Sequence, residues 1–309
     1  MVDHVISRAL RIVLFSGLIC IFACGSALAG LSHYVPGGLG IKNATMPPPG
    51  FWYAGYNQLY RAKTYRDDGG RNSTTTDMDI TVFANVNQFA WITDKKIFGA
   101  NYGVDLFVPL IYTDLEVDFM GVTVTEDRRF GLGDLFIDPL VLCWHGARWD
   151  AFLASGAYLP TAQHDKAASP GKGYWTFMHQ AGATFYFDER KAWSVSARGR
   201  FLHSTEDPDT DIRPGNEAIF EYGLGKDVPL GGGAVLTAGL IGYSYIQLTK
   251  DSGPGASGLK AEGHALGPEL QLSVFEPFFL NVSLRYTREY EVRNNTEGDS
   301  VCLTIVASF

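Results

Sequence analysis

Between Asn101 and Tyr112 an apolar or aromatic residue returns at every second position. Tyr102, Val104, Leu106, Val108, Leu110 and Tyr112 share one face of an extended segment. Successive side chains of a strand point to opposite sides, so a period of two marks a strand lying between two environments. The pattern recurs in 193–203, where Trp193, Val195, Ala197 and Phe201 oppose Ser194, Ser196, Arg198 and Arg200. In 279–290, Leu280, Val282, Leu284, Tyr286 and Tyr290 oppose Asn281, Ser283, Arg285 and Thr287. At the C-terminus Val301, Leu303, Ile305, Ala307 and Phe309 alternate with Cys302, Thr304, Val306 and Ser308. Twelve strands are expected, over 51–65, 77–92, 100–114, 129–143, 150–161, 174–187, 192–204, 216–227, 234–249, 261–275, 278–291 and 300–309. The facing of 216–227 and 234–249 is weakly marked. No stretch beyond residue 29 offers the ~20 apolar residues of a membrane-spanning helix.

The connections alternate in kind. Short ones are expected at 93–99, 144–149, 188–191, 228–233 and 276–277, and long polar ones at 66–76, 115–128, 162–173, 205–215, 250–260 and 292–299. Outer-membrane barrels have an even number of antiparallel strands, short periplasmic turns and longer extracellular loops. A soluble sandwich has no reason to sort its loops by length onto one end. The expected fold is therefore an all-β, transmembrane, antiparallel up-and-down barrel of about twelve strands, with both chain ends periplasmic. Closure follows from solvation, because lipid cannot pair the N–H and C=O groups of an open edge. Phe51, Trp52, Tyr53, Trp91, Tyr112, Phe130, Trp144, Trp149, Trp175, Trp193 and Phe309 lie near strand ends, as in the aromatic girdles of such barrels.

Composition refines this picture. A mean hydropathy of -0.01 resembles a soluble protein, yet two opposed faces average to the same value. Gly is 35 of 309 and aromatics are 20 Phe, 15 Tyr and 6 Trp, which suits many strands and turns. The net charge of -8 argues against a nucleic-acid partner. Residues 1–29 read as a cleaved signal peptide, with Arg8 and Arg11 before the apolar run 12–22 and Ala27-Leu28-Ala29 at the cleavage site. Cys20 and Cys24 leave with it, and Cys143 and Cys302 remain as small apolar residues rather than a disulfide framework. Residues 51–309 are then the barrel.

If the apolar faces meet lipid, the lumen receives Asp79, Asp105, Asp134, Asp138, Arg198, Arg200, Glu217, Glu221, Glu269 and Arg285. Both signs occur. Arg198 is expected near Glu221 and Arg285 near Glu269, as cross-strand pairs or as a permeation constriction. The Gly- and Pro-rich segment 30–50 belongs to no strand. Its apolar residues Tyr34, Val35, Leu39, Ile41 and Met46 suggest a plug or lid rather than a free tail. No enzyme motif is present. His203-Ser204 is sequence-adjacent and so points to opposite faces, and His179 has no evident Ser or acidic partner. His33, His145, His164 and His264 are scattered without metal-ligand spacing, so no metal or cofactor is expected. The acidic loop residues Glu206, Asp207, Asp209 and Asp211 could bind divalent cations but also suit a solvated turn.

Several short motifs carry a family resemblance: His33-Tyr34-Val35-Pro36-Gly37, Gly40-Ile41, Pro47-Pro48-Pro49-Gly50 before aromatics, Gly131-Leu132-Gly133-Asp134 before Pro139, and Leu159-Pro160-Thr161. In these the chain resembles the meta-pathway phenol-degradation family. The resemblance implies an outer-membrane barrel of a Gram-negative bacterium, often found with aromatic catabolism, and brings no catalytic residues. The expected function is passive uptake of small hydrophobic or aromatic molecules. The expected partners are outer-membrane lipid, that cargo, and the barrel-assembly machinery through the C-terminal Phe309. A non-transporting structural or surface-interacting barrel is the alternative. A barrel lipid hydrolase would need a Ser–His pair within hydrogen-bond reach on the lipid-facing surface.

Overall fold

A computed structural model describes residues 32–309, so the expected signal peptide lies outside the described residues. The described chain is built from antiparallel strands: β1 (Gly50–Arg66), β2 (Thr76–Ile97), β3 (Ala100–Phe119), β4 (Val122–Leu132), β5 (Leu135–His145), β6 (Trp149–Leu159), β7 (Thr176–Tyr186), β8 (Trp193–Ser204), β9 (Glu217–Gly231), β10 (Ala234–Gln247), β11 (Glu262–Val274), β12 (Leu280–Arg293) and β13 (Asn295–Ser308). Chain neighbours pair around the ring, and β1 closes on β13, with Trp52 opposite Ser308 and Tyr65 opposite Thr296. β3 pairs with β4 over Leu110–Phe119 and with β5 over Asn101–Phe107. The segment expected as one strand over 129–143 is thus split at Gly133-Asp134, and β4 and β5 together fill one place in a twelve-strand wall. β5, β6 and β7 each have 11 residues, close to the ~9–11 that a tilted strand needs to cross a bilayer.

The two expected long loops at 115–128 and 292–299 are corrected. Both are strand arms joined by tight turns. Met120 (φ 52°) and Gly121 (φ 79°) turn β3 into β4, and Phe98 and Gly99 repeat the geometry between β2 and β3, with φ of 51° and 78°. Two successive positive φ angles define the hairpin turn whose twist matches the strands, and glycine takes the second position without strain. Polar residues such as Glu116 and Arg128 suggested a loop because these arms project beyond the apolar band. Long connections do occur at 67–75, 160–175, 205–216 and 248–261, all at one end.

Phe89, Leu106, Leu153, Phe201, Leu224, Leu240, Leu270, Leu284 and Ile305 point outward and are exposed. An apolar belt on this scale far exceeds the patches of soluble monomers and is the lipid-facing surface of a membrane barrel. At the short-turn end Phe51, Trp91, Trp149, Trp193 and Phe309 are exposed as an aromatic ring.

Candidate functional site

Residues 32–49 run inside the barrel before emerging into β1. Ile41 and Ala44 are fully buried and Met46 is 8% exposed. The wall is carved to receive them. A Cβ on Gly223 would lie 2.5 Å from the Ile41 carbonyl oxygen, one on Gly225 2.4 Å from Ile41 Cγ2, and one on Gly239 3.0 Å from Ile41 Cδ1. These close approaches explain why β9 and β10 alternate weakly in sequence: their inward face holds glycines where a packed core would hold aliphatics. Ala44 and Met46 rest on Ile92, Val141, Cys143, Phe152 and Ala154. Gly225→Val is expected to unseat Ile41 at a cost of about 1–3 kcal/mol from overpacking. Limited proteolysis of segment 32–49 in the folded barrel measures the release.

A polar girdle surrounds this segment. Asp105 and Asp138 are register partners across β3 and β5. Gln88 donates to Asp105 (3.0 Å) and Gln180 to Asp138 (2.9 Å). The Gln180 amide oxygen accepts from Arg198 (2.7 Å) and Arg200 (3.1 Å). Arg200 pairs with Glu221, and Arg285 pairs with Glu269 at 3.2 Å. The girdle grips the inserted backbone. Glu221 accepts from the Tyr34 hydroxyl (2.8 Å) and the Gly37 amide (3.1 Å), and Glu269 accepts from the Ile41 amide (2.6 Å). Arg198 donates to the Asn43 carbonyl (3.0 Å), Arg285 to the Gly38 carbonyl and Ser196 to the Ile41 carbonyl. The charged ring thus satisfies a non-helical, non-sheet backbone at membrane depth, which is tolerated only when buried in protein.

Of the expected lumen residues, Asp105, Asp134, Asp138, Arg200, Glu217, Glu221, Glu269 and Arg285 are buried inside. Glu217 accepts from the Tyr245 hydroxyl at 3.0 Å. Arg198 is also inside, with its guanidinium 4.1 Å from the centre of the Phe152 ring. Three expectations are corrected. Asp79 is not luminal; it lies on the exposed arm of β2 and pairs with Lys63. Arg198 is the register partner of Glu221, but Arg200 makes the ion pair, because Arg198 turns to the Asn43 carbonyl. Val35 is 44% exposed and anchors nothing, whereas Tyr34, Ile41 and Met46 do.

Above the girdle the lumen is aromatic. Phe136 packs on Phe107 (5.4 Å between centroids) and Tyr158 (4.5 Å), and His33 stacks on Tyr158 (4.8 Å) with Tyr174 at its edge (5.2 Å). This packed cluster adjoins the break in the wall. Among the described residues β4 pairs only with β3, so no ladder joins it to β6. The gap is bridged by the inward-folded segment 160–175. Its anchor is Asp134, which accepts from the amides of Thr161 (2.9 Å), Ala162 (2.9 Å) and Lys172 (2.8 Å) and from His33 Nε2 (3.0 Å). Sequence reasoning found Asp134 but not its role, because its partners lie 27 or more residues away.

His33 was not legible as a node. Burial holds its pKa below the ordinary imidazole value, against the opposing pull of Asp134, with Lys172 adding to the lowering. A depressed pKa means the seated segment is stabilised above the ordinary value of ~6.5 and loses that contribution as pH falls toward the lowered one. Acidification from pH 7 is therefore expected to favour release of segment 32–49. His33→Gln should flatten that dependence in the same proteolysis assay.

Two outward-facing histidines also gain partners. The Ser155 hydroxyl is 2.9 Å from His179 Nδ1, which corrects the expectation that His179 has no serine partner. His264 lies between Ser244 (2.9 Å) and Glu262 (3.2 Å). Among the described residues no group of His, Cys, Asp and Glu could hold a metal ion.

These features define a class: a twelve-strand outer-membrane barrel whose lumen is occupied by its own N-terminal segment. The family described as "Putative MetA-pathway of phenol degradation" matches residues 63–305, and the chain belongs to it. Among curated protein sequences none matches. The COG4313 outer-membrane channel from Pseudomonas putida F1 is similar in structure, with a TM-score of 0.69 and 15% identity over 89% of this chain and 100% of that one. That likeness supports the fold. The β-domain of the Bordetella autotransporter BrkA follows at a TM-score of 0.45, 13% identity and 85% and 100% coverage. The CymD monoaromatic hydrocarbon channel stands at 0.38, 11% identity and 92% and 96% coverage.

Proposed function

We propose that this barrel is a passive outer-membrane channel for small hydrophobic or aromatic compounds. The observation that carries the reading is the aromatic cluster of Phe107, Phe136 and Tyr158 beside the unpaired edge of β4. A ring-shaped apolar solute that replaces the His33 ring on Tyr158 finds stacking partners there, and the lipid-facing residues Leu110 and Leu132 flank the break on the outside. Membership of a phenol-degradation family points the same way. The girdle below, with Asp105, Arg198, Glu221 and Arg285, controls what passes once segment 32–49 moves. Both chain ends face the periplasm in this reading, residues 1–29 are a removed export signal, and Phe309 addresses the chain to the assembly machinery.

Proteoliposomes test the reading. A monoaromatic solute is expected to equilibrate faster than across protein-free vesicles, with a sugar of similar mass excluded. Phe136→Ala should slow the aromatic selectively. Equal rates with and without protein overturn the channel. A non-transporting barrel is the second reading, and the seated segment with its fully buried Ile41 favours it.

A further inference from the structure

A second constellation lies on the other side of the wall. Ser244 on β10 and His264 on β11 are register partners. Their neighbours Tyr243, Tyr245, Gly263 and Ala265 are buried, so both side chains point outward, to lipid. Directly paired side chains on adjacent strands lie close enough to interact, and here the Ser244 hydroxyl is 2.9 Å from His264 Nδ1. Glu262, two residues before His264 and hence on the same face, lies 3.2 Å from Nε2. Tyr290, opposite His264 on β12, stacks on the imidazole at 6.0 Å and fixes its plane. Tyr222 reaches across from β9, and its hydroxyl interacts with Ser244 and Tyr290. It can do so because residue 242 is glycine; a Cβ there would lie 2.5 Å from the Tyr222 ring.

We propose that Ser244, His264 and Glu262 form a serine esterase site for the acyl ester of a membrane lipid, with Tyr222 as oxyanion donor. A nucleophile, a base within hydrogen-bond reach and a carboxylate orienting the base are recognised by geometry and role, whatever the fold. The imidazole is used in the reverse sense of the serine-protease triad. Nε2–H donates to Glu262, which leaves the Nδ1 lone pair facing the serine hydroxyl. The site is open: the His264 and Glu262 side chains are 21% and 36% exposed. Ser244 is three residues from the end of β10, at the long-loop end of the barrel. An ester there lies at the interface, while its acyl chain runs down the apolar belt past Leu266, which is 47% exposed.

The chemistry balances with water as the only co-reactant. Ser244 Oγ attacks the ester carbonyl carbon and its proton passes to His264 Nδ1. The carbonyl π electrons move onto oxygen, where the Tyr222 hydroxyl donates to the developing charge. Collapse breaks the ester C–O bond, and the leaving alcohol takes the proton from His264. Water, deprotonated by His264, then cleaves the acyl-Ser244 ester, releasing the carboxylic acid and restoring the serine. The other outward pair, Ser155 with His179, lacks this assembly. Among the described residues no carboxylate hydrogen-bonds to His179, which stacks instead on His203 at 5.5 Å.

The test uses the full chain folded in detergent micelles and a fluorophosphonate probe, with adducts mapped by peptide mass. Labelling is expected at Ser244, together with hydrolysis of p-nitrophenyl butyrate and release of fatty acid from phosphatidylethanolamine. Ser244→Ala should abolish labelling at that peptide and lower turnover by about 10³-fold or more. Glu262→Gln should lower turnover while leaving probe access intact, and Ser155→Ala should change neither. Circular dichroism confirms that each variant remains a β-barrel. Labelling at Ser155 alone, or turnover equal in Ser244→Ala and the unaltered protein, overturns the proposal. The result is independent of transport, since neither the lumen nor the break at β4 involves the outer face of β10 and β11.

Discussion

Deleting residues 32–48 is expected to convert a quiet barrel into a conducting one in a planar bilayer. The size of the wall makes this a strong expectation. Eight strands enclose an interior that side chains fill, whereas 16–18 strands leave an aqueous channel. Twelve strands fall between, so the wall alone leaves room that something else must occupy. Here the occupant is the chain's own N-terminal segment. Ile41 touches β9 and β10 and bonds to β8 and β11, while Ala44 and Met46 pack on β2, β5 and β6. The segment therefore spans the lumen from one side to the other at this level. Burying Ile41 contributes about 1.5–3 kcal/mol, and the girdle adds hydrogen bonds to four successive regions of its backbone. Without the segment, Glu221, Glu269, Arg198 and Arg285 face water. Discrete openings sensitive to the sign of the permeant ion should replace a baseline trace. An unchanged trace would show that segment 160–175 alone closes the pore.

The fold was largely legible because lipid imposes a strict rule. Every wall strand must be apolar outside, so Leu106, Val195, Leu284 and Ile305 announce themselves by period alone. What the rule does not govern was misread. The arms beyond the bilayer, 115–119 and 122–128, reverse the rule: Leu115 and Val117 turn inward onto Met78 and Ile80, and the polar residues turned outward to water look like a loop. The bend at Gly133-Asp134 was invisible as a break because strand character continues on both sides of it.

The lumen was legible as a list of charged residues but not as an arrangement. Glu269 and Arg285 face each other across a tight turn, so counting back from Glu276-Pro277 finds the pair. Arg200 with Glu221 cannot be found that way. The register points to Arg198, but the Gln180 amide oxygen and the Asn43 carbonyl, the latter 155 residues away in sequence, draw Arg198 off. Glycine carried a signal that composition blurred. Some of the excess serves turns, but Gly223, Gly225 and Gly239 are a mould for Ile41, and Gly242 is a mould for Tyr222. Both outward serine–histidine pairs stayed hidden because each joins separate strands.

Glu269→Ala is expected to be among the most damaging single changes in the chain. The Glu269 and Arg285 side chains are 0% and 4% exposed, and both are reached by the inserted segment. Removing one partner leaves a buried guanidinium without its carboxylate, a loss of about 3–5 kcal/mol. The Ile41 amide loses its acceptor as well. Thermal unfolding in detergent, followed by loss of strand circular dichroism, should shift down sharply. The paired change Glu269→Met with Arg285→Met separates the two effects. A buried ion pair replaced by apolar residues of similar volume is often neutral for stability, so the barrel should recover much of its melting temperature. The inserted segment should not recover, because the acceptor for Ile41 and the donor to Gly38 are both gone. The double variant is therefore expected to combine a stable wall with a protease-sensitive N-terminus. If the melt stays low in the double variant, the pair holds the wall through something other than charge balance. If segment 32–49 stays protected, the glycine mould alone is sufficient to seat it.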